Sequence, residues 1–128
     1  MKRERRQIGT DEETGVPEVS HLVEDVIPAG GKKLLGYQPT KGTFYCDRIR
    51  ITGDIRDVFV TDVLVGKNRQ VKHFMEKKMR PMEAIVFDGA VAFNFDTCRP
   101  YEVFSIELEN RCSQDVKVRV ELMGWESD

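Results

Sequence analysis

Three runs toward the C-terminus alternate apolar and polar residues at period two: Val91-Phe93-Phe95, Phe104-Ile106-Leu108 and Val116-Val118-Val120-Leu122. Successive side chains of a strand point to opposite faces, so this period predicts strands with one wet and one dry side, as in antiparallel sheets. Upstream, possible strands at residues 22–27, 32–38 and 43–52 are divided by Pro28-Ala29-Gly30-Gly31 and Pro39-Thr40-Lys41-Gly42. These clusters supply the fixed φ of Pro and the positive φ of Gly that chain reversals need. In the third of these strands Tyr45, Ile49 and Ile51 are expected on one face and Arg48 and Arg50 on the other, with Asp47 breaking the alternation.

Gly53-Asp54 predicts a turn, residues 58–65 a strand, and Gly66-Lys67-Asn68-Arg69 a second reversal. Residues 71–82 set Phe74, Met75, Met79 and Met82 among lysines and an arginine and end at a proline, which reads as a loop on the rim of the fold. Four more strands are expected at 83–87, 90–96, 102–110 and 115–124. Eight or nine short strands with turn signals about every ten residues predict an all-β chain: an antiparallel β-sandwich, jelly-roll-like.

Residues 1–20 have almost no apolar period. Lys2, Arg3, Arg5 and Arg6 stand there with Glu4, Asp11, Glu12, Glu13 and Glu18. Such a stretch buries too little surface to offset its ordering entropy, so it is expected to be a flexible charged arm before a sandwich over 21–128, able to order against a neighbouring subunit. The 128 residues suit one core.

A net charge of -2 gives no global pull toward nucleic acid or membrane, and no run approaches the ~20 apolar residues that span a bilayer. Three cysteines, Cys46, Cys98 and Cys112, cannot all pair within one chain and form no C-x-x-C; they are expected reduced, in a protein made in a cytosol. The charge is uneven, however. Residues 67–83 carry a net +4, from Lys67, Arg69, Lys72, Lys77, Lys78 and Arg80 against Glu76 and Glu83. With Phe74 its only aromatic, the segment is poor for base stacking, which argues against nucleic acid and for an acidic protein surface or a solvated rim. Met75 and Met79 suit an adaptable contact. The expected partner-binding residues are therefore Lys2, Arg3, Arg5 and Arg6 in the arm, and Lys67, Arg69, Lys72, Met75, Lys77, Lys78, Met79 and Arg80.

Candidate chemistry is sparse. His21 and His73 lack the His and carboxylate companions of a metal centre, and neither Cys98 nor Cys112 with His73 forms a catalytic motif, so no enzyme activity and no cofactor or metal are expected. Asp54, Asp57 and Asp62 invite a calcium reading but match no calcium-loop spacing. Tyr37, Tyr45, Tyr101 and Trp125 could stack on a small ligand or carbohydrate if they shared one concave face. Trp125 alone reads first as a plug of the sandwich and second as an interface anchor.

The stretches Tyr45-Cys46-Asp47-Arg48-Ile49-Arg50-Ile51, Val58-Phe59-Val60-Thr61-Asp62-Val63-Leu64-Val65-Gly66-Lys67-Asn68-Arg69-Gln70, residues 103–110, and Leu122-Met123-Gly124 resemble small jelly-roll virion proteins of bacteriophages. These are capsid cement or decoration proteins and single jelly-roll coat subunits. The resemblance spans roughly residues 43–124. It implies a non-enzymatic virion protein that oligomerises, often as a trimer, and fastens neighbouring shell proteins; it carries no catalytic residues.

Overall fold

A computed structural model of the chain describes residues 2–10, 15–53, 56–70 and 95–127. Its elements are β1 (Lys2–Thr10), β2 (Pro17–Ile27), β3 (Lys32–Tyr37), β4 (Phe44–Gly53), β5 (Val58–Val65), β6 (Asn68–Arg69), β7 (Phe104–Asn110) and β8 (Val116–Glu126). They form two four-stranded sheets, ordered β1-β2-β8-β4 and β3-β7-β5-β6, with every pairing antiparallel.

The wiring is that of a long ribbon folded over itself. Going out, the chain makes β2, β3, β4 and β5; coming back, β6 pairs with β5, Cys98 bridges to Phe44 of β4, β7 pairs with β3, and β8 pairs with β2. β2, β3 and β5 thus meet a returning strand and β4 a single returning bridge, with successive pairs on opposite sheets, a jelly-roll-like arrangement of the sandwich.

The apolar alternation dictates what lies between the sheets. Val116, Val118, Val120 and Leu122 of β8, Phe104, Ile106 and Leu108 of β7, and Val58, Val60, Val63 and Val65 of β5 all enter one buried cluster with Phe44, Ile49, Ile51 and Leu35. Asn110 ends β7 in this interior. Its side-chain amide donates to the carbonyls of Ile27 and Gln114, tying two turns to the core.

Three local expectations change. Lys2–Thr10, read as part of an arm, is instead the edge strand β1, paired with β2 from Lys2↔Glu24 to Thr10↔Pro17. Main-chain ladder bonds need no apolar side chain, so hydrophobic periodicity cannot detect such a strand. Residues 17–20 likewise belong to β2, with Val19 fully buried, so the sandwich begins before residue 21. In β4 a bulge falls between Cys46 and Arg48, where Asp47 disturbs the pattern. An extra residue reverses strand parity. Phe44 and Cys46 therefore join Ile49 and Ile51 inside, while Tyr45 is half-buried opposite Trp125. The expected strand at 83–87, residues 90–94 of the one expected at 90–96, the rim loop and His73 lie outside the described residues, and Phe95 and Asp96 are in no strand.

Candidate functional site

The buried polar chemistry converges on Glu126, the last residue of β8. Alternation turns it inward, where its carboxylate meets groups from three other strands. Tyr37 at the end of β3 donates its hydroxyl to Oε1, and Arg5 of β1 reaches in to place Nε 3.2 Å from Oε2. His21 of β2 sets Nε2 3.4 Å from Oε1 and stacks on the Tyr37 ring with centroids 3.5 Å apart. That imidazole nitrogen is the one buried side-chain polar atom without a hydrogen bond among the described residues. Phe44 closes the group edge-on to both rings.

Burial alone would raise the Glu126 carboxyl, but His21, Tyr37 and Arg5 outweigh it and hold the group below the usual glutamate range. Burial, together with the carboxylate it serves, pushes the Tyr37 phenol well up. Tyr37 therefore stays a protonated donor and Glu126 an anion. A carboxylate held by groups from two sheets is a clamp between them.

A second cluster lies on the outer face of the β1-β2-β8-β4 sheet. Arg48 bonds Glu18 from across the sheet and Asp47 beside it, next to the register neighbours Glu18, Trp125 and Tyr45. Trp125 is half-buried there and is not in the core cluster, so it does not plug the sandwich. Gly124, between the two faces at this point, has no room for a side chain: a Cβ would sit 1.9 Å from the Tyr45 carbonyl oxygen.

The third place is one end of the sandwich. Arg99-Pro100-Tyr101-Glu102 forms a turn closed by Glu102 N–H to the Arg99 carbonyl at 3.0 Å, with Tyr101 at φ 70°. A proline followed by a positive φ is a type II turn, whose third position favours Gly or Asn. A bulky residue there is strained by about 1–2 kcal/mol. The ring is nevertheless 73% exposed. Beside the turn, an open depression of about 490 Å³ is lined by Val65, Asn68, Asp96, Thr97, Arg99 and Glu102. Its acids already have partners: Asp96 accepts from Gln70 and Glu102 from the Arg99 N–H.

The expected contact residues do not gather in one place. Lys2, Arg3, Arg5 and Arg6 lie on β1, the edge of one sheet, and Arg5 is the one whose described side chain turns in to Glu126. Lys67 is exposed on the turn before β6, and Arg69 on β6 pairs with Asp62 at 2.8 Å. Because β2 packs against β3, β1 and β6 occupy opposite edges of the sandwich. Lys72, Met75, Lys77, Lys78, Met79 and Arg80 lie outside the described residues.

Of the acids considered for calcium, Asp54 is also outside, Asp57 is exposed at a turn, and Asp62 is taken by Arg69. No group of three or more His, Cys, Asp or Glu suited to a metal occurs among the described residues. The aromatic quartet is dispersed: Tyr37 between the sheets, Tyr45 and Trp125 on an outer face, Tyr101 on the end turn. The Glu126 clamp escapes sequence reasoning because its four members are scattered from residue 5 to 126. The Tyr101 turn leaves Pro100 as a turn signal but not its positive φ, because type II turns favour Gly or Asn where Tyr101 stands. No family model, curated protein or solved structure matches the chain.

Proposed function

We propose that this is a non-enzymatic viral structural protein that self-associates, with a trimer favoured, and binds or stabilises a capsid or related virion assembly. One observation carries the reading: among the described residues the space between the sheets is filled by apolar side chains, and the buried polar groups there, from the Glu126 clamp to Asn110, are tied into the fold, which favours a role for the surfaces and edges. Jelly rolls serve as shell subunits because a stiff block with several exposed faces can meet several neighbours, a fold-level analogy. The basic 67–83 segment and β1 are its proposed contact regions. The phage resemblance of residues 43–124 points the same way, toward cement, decoration or coat proteins.

The test has two arms. Light scattering on the purified chain should find an oligomer, and the chain should co-sediment with shell particles assembled from a phage major capsid protein. A monomer that stays in the supernatant overturns the proposal.

A further inference from the structure

Tyr101 is an aromatic residue at a position that favours glycine, and the structure holds it there from several sides. Its N–H donates to the Pro39 carbonyl at 2.7 Å, and its carbonyl accepts from Gln38 Nε2 at 2.8 Å. The Gly66 N–H donates to the Val103 carbonyl at 2.9 Å, joining the turn to the β5–β6 reversal. A backbone fixed this firmly holds the point from which the exposed ring projects, and Val103 beside it is 39% exposed. Rigid exposed tyrosines are the usual anchors of protein contacts because little freedom remains to be lost on binding. Arg99 in the turn, Lys41 on the loop that follows Pro39 and Lys67 next to Gly66 are all exposed, and none is in an ion pair with a described residue.

The outer face of the β3-β7-β5-β6 sheet has the matching chemistry. Leu34 is 53% exposed and stands in register with Glu107, and Leu64 stands in register with Ser105 on the same face. Glu107 accepts the Thr61 hydroxyl at 2.6 Å but has no ion-pair partner among the described residues. Lys32 shares the face at its far end, beyond Leu34 from Leu64, so the spot between the two leucines is apolar with the Glu107 carboxylate beside it, which suits a tyrosine carried on a cationic turn.

We propose that the Tyr101 turn of one copy docks on this outer face of a second copy, its ring against Leu34 and Leu64 and its cations beside Glu107. The proposal rests on the self-association read above and specifies the surface that performs it. Neither half of the contact is complete within one molecule.

The test is sedimentation equilibrium of the full chain over a wide concentration range, with circular dichroism to verify folding. Tyr101→Asn keeps the positive φ and removes the ring; Leu34→Lys keeps the exposed strand and repels the cations. Each variant should remain folded and weaken self-association about thirtyfold, the loss typical of a truncated aromatic anchor. Their equimolar mixture should regain a good part of it, because the first variant still offers an intact face and the second an intact turn. Wild-type association that both variants retain overturns this surface while leaving the self-association reading in place, and so does a mixture no stronger than its components. A wild-type monomer at every concentration overturns both and leaves the turn to a different protein.

Discussion

β1 and β8 share a sheet and differ by only two residues in length, 9 against 11, yet they are opposites in what holds them. β8 sits between β2 and β4 and drives Val116, Val118, Val120 and Leu122 into the core. β1 lies outside β2; its described side chains are exposed except for the half-buried Gly9, and its Ile8 is 46% open to solvent. One strand is fixed by buried apolar surface; what the described residues show of the other is its ladder and the Arg5–Glu126 contact. Membership of a sheet and contribution to its stability are therefore separate properties, and variants can pull them apart.

The largest contrast should come from truncation. Removing residues 1–10 takes away β1 alone. The chain should stay folded and lose about 1–3 kcal/mol in urea unfolding, because the β1–β2 ladder goes together with the Arg5 cation while Glu126 keeps Tyr37. Removing residues 1–20 cuts into β2 and deletes the fully buried Val19, so the circular dichroism of a folded sheet should vanish. A folded 21–128 fragment would show that β2 is as dispensable as β1.

Next come single truncations. Leu122→Ala on β8 should destabilise by about 2–5 kcal/mol through transfer and cavity terms. Ile8→Ala on β1 should change stability by less than about 0.5 kcal/mol. Equal losses would erase the distinction.

Those two outcomes also mark what could be read from sequence. β7 and β8 were legible because each places alternate residues against a core and the others against water. β1 was not, since Lys-Arg-Glu-Arg-Arg pairs through its backbone and leaves no periodic trace. In β4 the bulge at Asp47 was visible as an interruption, but which face Tyr45 would take depended on a one-residue shift that only the pairing with β8 reveals. Trp125 was misplaced for a related reason: its parity along β8 sets it on the outer face, and hydrophobic size alone suggested the interior. The clamp needed four separated strands to be assembled first.

A smaller effect probes the point where β1 and β8 meet. The Glu126 carboxyl is depressed, so its stabilising contribution is complete above the ordinary glutamate value of 4.5 and fades as pH falls through the lower folded value. Glu126→Gln should flatten that acid limb of the stability profile. Arg5→Ala should lose about 1 kcal/mol or less at neutral pH, since Arg5 is 44% exposed. An unchanged acid limb in Glu126→Gln would remove the clamp from the account.

The subtlest comparison is amide hydrogen exchange. Amides of β8 should open only with global unfolding, whereas those of β1 should exchange by local detachment. Matching protection in both strands would mean that β1 is held by more than its ladder and one cation.

The returning half of the ribbon has a consequence for how the protein is made. Glu18 waits for Trp125, and Ile27 for Val116, so β2 has no central neighbour until β8 has left the ribosome. Pairings so distant along the chain close slowly. During synthesis β2 and β4 stay without their shared neighbour β8, which leaves apolar surface open to aggregation until that strand arrives.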